Sequence, residues 1–229
     1  MRLRRDEAQL YFFLGSYGWG GEPGNDPNGT LRAEQGLHND IVQVDCMDFF
    51  TDMRILTDQG GATCKVYESL KWASSRYDFD YVARVGDDAY FNARLFLSSG
   101  FTTTRLYLGN LRRVQNGDSD LDLKVVYPEV DRDFGLRTPP DYMHGMGCIF
   151  TSDVVHHIAT TVIPPRINFI EDVVVGLWVT PFQIEKQHSD LFQVRQALSI
   201  GPHPEMILVH YMRPIDWENI DEEGVLTIT

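Results

Sequence analysis

The chain has 229 residues, enough for one large α/β domain or two small ones. Lys and Arg number 20 against 33 Asp and Glu, a net charge of −13, which excludes broad binding to a nucleic-acid backbone because that needs a cationic surplus. An anionic ligand would need a local device such as a metal ion, since the global field repels it.

No apolar run reaches the ~20 residues that span a bilayer, and the basic start over residues 1–7 has no apolar signal core behind it. The sequence as given therefore reads as soluble and cytoplasmic, without a transmembrane segment. Cys46, Cys64 and Cys148 are too sparse for a disulfide framework. At most one bridge is possible, and three buried reduced thiols are the expectation.

Residues 10–14, followed by Gly15-Ser16, predict a first, fully buried strand that ends in a turn. Residues 19–28 are dense in Gly, Pro, Asn and Asp and read as a loop. Thr30 is placed to cap a helix, although Ala33 stands where a capping box prefers Glu. Residues 40–45 read as a second strand, and Val66, Tyr67, Leu70 and Ala73 recur at helical spacing across residues 64–77. Tyr81-Val82-Ala83-Arg84-Val85 is β-branched and aromatic enough for a buried strand. A short helix over residues 92–99 and a strand over 105–110 follow. Residues 115–122 are polar, and Pro128, Pro139 and Pro140 exclude regular pairing over 127–141. Residues 148–151 predict a strand, Ser152-Asp153 the start of a helix, and Pro164-Pro165 its limit. Residues 171–179 read as a helix despite Val173, Val174 and Val175, and residues 206–211 as a last strand. This alternation, without repeats or a clear linker, predicts an α/β sandwich with a largely parallel sheet. One domain covers 1–229, with residues 1–9 and 218–229 as peripheral tails.

Gly86-Asp87-Asp88 lies at the carboxyl end of the 81–85 strand, where open α/β sheets bind ligands. The two carboxylates either cap a turn into the next helix or hold a hard divalent cation that in turn holds a diphosphate. Glu171-Asp172 opens a helix, so both acids can simply complement its N-terminus; alternatively one is a general base aimed into a cleft. Gly145-Met146-Gly147 is either backbone that approaches a ligand closely or a plain turn into the next strand. His210 lies inside an apolar strand, as a hydrogen-bonded core histidine or as a metal ligand. His156-His157 cannot aim both rings at one metal from a helix, and His188 has no partner at ligand spacing.

Several stretches, taken in order, carry a family resemblance. Tyr11-Phe12-Phe13-Leu14-Gly15 looks like an opening strand, and Glu34 with His38-Asn39-Asp40-Ile41-Val42 is similar to a glutamate followed by His-Asn-Asp-Ile-Ile. Lys65 with Trp72 is similar to a Leu-Lys-Thr…Trp segment. Arg84-Val85-Gly86-Asp87-Asp88-Ala89-Tyr90-Phe91-Asn92 falls on the metal motif Lys-x-Asp-Asp-Asp-x-Phe-x-Asn. Residues 139–151 are similar to Tyr-Pro-Pro-Tyr-Cys-x-Gly-x-Gly-Tyr-x-x-Ser. Glu171-Asp172-Val173-Val174-Val175-Gly176 matches Glu-Asp-Val-x-x-Gly, and His210, Pro214 and Trp217 look like a closing histidine segment. Together they resemble the β-1,3-glycosyltransferase superfamily, which includes β-1,3-galactosyltransferases, β-1,3-N-acetylglucosaminyltransferases, core-1 synthases and Fringe.

The resemblance implies a GT-A fold, a Rossmann-like, mostly parallel central sheet with helices on both faces. It implies inverting transfer of a hexose, galactose or an N-acetylhexosamine, from a UDP-sugar to a glycan hydroxyl in β-1,3 linkage, with Mn²⁺ or Mg²⁺. By position, Asp88 and His210 would be metal ligands, with Asp87 beside the metal or the ribose. Asp172 would be the general base, with Glu171 beside it. Lys65 and Arg84 would lie near the donor, and Gly145 to Gly147 would shape the sugar pocket.

Two positions depart from the pattern. Gly86 replaces the first acid of the metal motif, and Met143 stands where the family usually has cysteine. The scarcity of secretory cysteines fits a chain folding outside the secretory pathway. Gly86 supports an alternative reading, a catalytically degenerate relative that binds nucleotide or sugar as a partner or chaperone. A metal-dependent hydrolase is a third reading, carried by the aspartate pair alone.

Overall fold

The computed structural model describes residues 8–17, 30–47, 61–113, 140–161, 171–195, 205–220 and 226. In chain order the elements are β1 (Phe12–Tyr17), α1 (Thr30–His38), β2 (Ile41–Met47), α2 (Gly61–Arg76), β3 (Tyr81–Val85), β4 (Ala89–Phe91) and α3 (Ala93–Ser98). They continue with β5 (Leu106–Arg112), β6 (Tyr142–Thr151), α4 (Ser152–Thr161), α5 (Glu171–Val179), β7 (Glu185–His188), β8 (Phe192–Val194), β9 (Leu208–His210) and α6 (Pro214–Trp217). The expected loop at 19–28, the polar stretch at 115–122 and Pro164-Pro165 lie outside the described residues, as does nearly all of 127–141.

β6 sits between β3 and β5 in a four-stranded sheet of order β3-β6-β5-β7, and it runs antiparallel to both neighbours. β5–β7, β1–β2 and β8–β9 pair in parallel, while β4–β9 is antiparallel. The chain is mixed α/β as the alternation implies, with a central pairing less parallel than expected. Period-two alternation splits the residues of this sheet between two cores. Tyr107, Cys148 and Phe150 face α2, α4 and α5, meeting Leu70, Ile158, Val174 and Trp178. Leu106, Leu108 and Ile149 face the other way, against Phe96 of α3 and Phe192 and Leu208 of β8 and β9. Helices thus cover one face, whereas α3 shares the other with the β4-β9-β8 sheet.

Several local expectations are corrected. β1 extends through Gly15 and Ser16 to Tyr17 instead of turning, and Phe12 is 42% exposed, so it is an edge strand rather than a fully buried one. β6 begins at Tyr142, so Gly145-Met146-Gly147 is strand and not a turn. Gly147 pairs with Val85 of β3, while side chains take up the backbone before it: the Gly145 N–H donates to Asp172 and the Met146 N–H to His144. β4, β7, β8 and α6, all of three or four residues, are too short to carry a periodic signal. α5 forms where expected: Val173, Val174 and Val175 are all buried, so tertiary packing overrides their modest helix propensity.

Cys46 and Cys64 form a disulfide, and Cys148 remains a buried free thiol. This corrects the expectation of three reduced thiols. α2 packs on β2, and that contact brings the two Cα atoms to 5.8 Å, within bridging range. Disulfides persist in oxidising compartments, so cysteine usage no longer supports a cytoplasmic location. No helix among the described residues is long and apolar enough to cross a membrane.

Candidate active site

The β3–β6 register sets Arg84 opposite Cys148 and Val85 opposite Gly147, next to the point where α5 begins. From there the Arg84 guanidinium reaches two groups. Nη2 donates to Glu171 Oε1 at 2.8 Å, and Nη1 donates to the Gly145 carbonyl. The ion pair is sheltered, with side chains 22% and 17% exposed. Burial disfavours the charge on Arg84, but Glu171, together with Cys148 and Asp172, outweighs this, and the net shift is upward.

Asp172 completes this cluster. Its Oδ2 accepts the Gly145 N–H at 3.0 Å and its Oδ1 the Val173 N–H at 2.8 Å. Burial and then the charge of Glu171 push its carboxyl up to about 7, against the opposing pull of the two N–H donors and Arg84. Glycine eases this close approach of the β6 backbone: a Cβ on Gly145 would lie 3.2 Å from Glu171 Oε1 and 3.4 Å from Asp172 Oδ2, so the Glu171 carboxylate would have to give by a few tenths of an ångström. Asp172 is therefore more than a helix-terminus acid, because its second oxygen is tied to another element.

A small cleft opens on this cluster, lined among others by Tyr107, Met143, His144 and Cys148. His144 was not singled out from the sequence, although it lies inside the Tyr-x-x-Gly-x-Gly run. Its Nδ1 accepts the Met146 N–H at 3.3 Å, and burial with the charges of Arg112 and His210 lowers its proton affinity, leaving it neutral at pH 7. It feels both His210 and Glu171 and so stands electrostatically between the two halves of the site. Burial pushes the Cys148 thiol up to about 12, which keeps it protonated at neutral pH.

The second half is a carboxylate–imidazole corner. β4 pairs with β9 so that Ala89 faces His210, which brings His210 Nε2 to 3.0 Å from Asp88 Oδ1. The Asp88 carbonyl also accepts the Met212 N–H at 3.0 Å, fixing the turn against the strand that carries the histidine. His210 Nδ1 is buried without a hydrogen-bond partner among the described residues. A Cβ on Gly86 would point into this corner, 3.0 Å from Asp88 Oδ1 and 3.6 Å from His210 Nε2. The first acid of the family motif would therefore project here, and Asp88 would have to give way by a few tenths of an ångström to admit it. One carboxylate oxygen and one imidazole nitrogen suit Mn²⁺ or Mg²⁺ when phosphate oxygens complete the shell. Among the described residues no group of three His, Cys, Asp or Glu side chains gathers for a metal.

Of the residues expected from the sequence, Arg84, Gly145, Glu171 and Asp172 meet in one cluster, and Asp88 and His210 meet in the other. Asp87 is exposed in the turn, and Lys65 lies near the start of α2, beside Val66, which lines the cleft. Gly147 serves packing: at φ +150° a Cβ would fall 2.5 Å from Leu208 Cδ1 and 3.0 Å from the Arg84 carbonyl. His188 pairs with Asp190 at 3.0 Å, and His157 stacks on Phe182 at 4.2 Å, both outside the site.

A mixed sheet backed by helices, with its cleft between the sheet face and helices α2 and α5, is consistent with a GT-A-like glycosyltransferase domain. Sequence comparison narrows that class. The model of the Galactosyltransferase family matches residues 4–190, and the chain belongs to that family. It is 24% identical to beta-1,3-galactosyltransferase 6 of Mus musculus over 202 residues, which is 84% of this chain and 57% of the relative. Beta-1,3-galactosyltransferase 1 of Homo sapiens is 24% identical over 201 residues, 84% of this chain and 58% of the relative. Hydroxyproline O-galactosyltransferase GALT6 of Arabidopsis thaliana is 23% identical over 206 residues, 87% of this chain and 28% of the relative. The chain thus spans little more than half the length of the two β-1,3-galactosyltransferases.

Proposed function

We propose that this chain transfers galactose from UDP-galactose to a glycan hydroxyl with inversion, forming a β-1,3 linkage, and that Asp172 is its general base. One observation carries the reading. Asp172 is a sheltered carboxylate, aimed by backbone N–H groups from two elements, whose proton affinity lies near neutrality. A base works best when its pKa is close to the operating pH. The names of the related proteins support galactose as the sugar.

The acceptor hydroxyl loses its proton to Asp172 as its oxygen bonds to the anomeric carbon. The bond from that carbon to the diphosphate breaks on the opposite face, and its electron pair leaves with UDP. One displacement inverts the centre, giving a β product from an α-linked donor; inverting glycosidases likewise use one carboxylate to activate the nucleophile. Asp88 and His210, with Asp87 beside them, would hold Mn²⁺ or Mg²⁺, which when bound neutralises the departing diphosphate. Lys65 is proposed to lie near the donor. Neutral His144 can offer a hydrogen bond to a sugar hydroxyl without adding charge beside the base.

Gly86 supports the second reading, a nucleotide- or sugar-binding relative without turnover, because it removes a carboxylate from the cation corner. A panel of UDP-hexoses assayed with Mn²⁺ and with EDTA separates the two. Metal-dependent transfer from UDP-galactose is expected. UDP binding without turnover would establish the second reading, and neither binding nor turnover would overturn both.

A further inference from the structure

The resemblance places Arg84 near the donor, yet both ends of its guanidinium are engaged elsewhere. Nη2 is paired with Glu171, and Nη1 holds the Gly145 carbonyl. The N–H of that same Gly145 donates to Asp172. Arg84 therefore closes a ring: β3 to the β6 backbone, β6 to Asp172, and Glu171 back to β3. Glu171 is part of this ring and is no second base, since its carboxylate already carries the arginine.

We propose that Arg84 is a positioning residue, acting with Glu171 to lock the β6 backbone at Gly145 onto the N-terminus of α5 and so to aim Asp172. The proposal deepens the reading of Asp172 as general base. It assigns the two charges opposite effects on that carboxyl. Glu171 raises the proton affinity of Asp172, and Arg84 lowers it. Among the described residues, the groups that line the cleft with Asp172 include Glu171 on α5, Arg84 on β3, His144 and Cys148 on β6, Tyr107 on β5 and apolar Val66 on α2. Among them, Arg84 is the only permanent cation facing Asp172. A residue that merely supports folding would lower activity without moving the titration of Asp172 in a direction set by its own charge.

The test is the titration of Asp172 in wild type, Glu171→Gln, Arg84→Met and Arg84→Lys, read in two ways. One readout is the acidic limb of the pH profile of kcat/KM for galactosyl transfer. The other is the ¹³C carboxyl resonance of Asp172, assigned by its loss in Asp172→Asn, which needs no turnover. Glu171→Gln should move the midpoint down and Arg84→Met should move it up, each by roughly one pH unit. Arg84→Lys should restore the midpoint while kcat stays low, because a lysine ammonium keeps the charge but cannot reproduce the fork. Shifts of the same sign, or no shift in Glu171→Gln, would overturn the proposal. If Arg84→Met does not fold, Glu171→Gln and Arg84→Lys still decide it. Absence of transfer in wild type with opposite carboxyl shifts intact would refute the galactosyltransferase reading and leave the positioning role standing.

Discussion

The Gly145 N–H donates to Asp172 Oδ2 at 3.0 Å across 27 residues of sequence. That bond links a strand to a helix start and makes the acid a directed group. Asp172→Asn keeps the size of the side chain but cannot take a proton. Transfer should fall roughly 10²- to 10⁴-fold, the usual contribution of a positioned base, with UDP affinity unchanged. Near-normal activity in a coupled UDP-release assay would return Asp172 to the role of a helix-terminus acid.

The same carboxyl makes stability depend on pH. Its folded value of about 7 lies above an unfolded value of ~4, so between these the folded state binds more protons than the unfolded one. Stability contributed at this position is full below ~4 and is lost as pH rises through about 7. Asp172→Asn lacks this titration. Urea denaturation of both proteins should show the variant gaining on wild type between pH 4 and pH 7, with the difference constant at higher pH. A difference that is flat throughout would show that burial does not perturb this group.

Asp88, His210 and the missing side chain at Gly86 predict how nucleotide binding responds to metal. Asp88→Ala and His210→Ala should each weaken Mn²⁺-supported UDP binding and leave metal-free binding alone. Gly86→Asp should tighten it, because the new carboxylate would enter the same corner once Asp88 gives way by a few tenths of an ångström to a Cβ 3.0 Å from its Oδ1. Isothermal titration with and without EDTA measures all three. Unchanged Mn²⁺ dependence in both alanine variants would remove the ligand assignment.

The Cys46–Cys64 bridge closes a sequence separation of 18 residues and fastens β2 to α2. Thiol titration of the denatured, unreduced chain should count Cys148 alone. Replacing both bridged cysteines by serine should cost about 2–4 kcal/mol in chemical denaturation. Finding three reactive thiols would contradict the bridge.

Gly147→Ala tests the crossing of β3, β6 and β9. The added methyl would meet Leu208 Cδ1 at 2.5 Å in a backbone conformation that L residues rarely adopt. A loss of about 1–3 kcal/mol is expected, as for other overpacked cores. A Tm equal to that of wild type would show that Leu208 yields freely.

The sequence by itself determined much of this protein. Helical spacing marked α2 and the acids of Glu171-Asp172 marked the start of α5, because a period and a terminus are local properties. Tyr81–Val85 was legible as a strand from its β-branched and aromatic residues, but not as the buried strand expected, because it lies at the end of its sheet and is only partly covered. The family motifs also marked Asp88, His210 and Asp172 before any geometry was known. What the tertiary structure alone decided is how those residues are shared out. Arg84 pairs with Glu171 over 87 residues, and Asp88 meets His210 only because β4 pairs with β9. The Cys46–Cys64 bridge depends on α2 packing against β2. His144, which lines the cleft, became visible only when β6 proved to extend back to Tyr142. Each of these depends on strand register or helix docking, and a register is set by pairing energies across the sheet that no local window of residues contains.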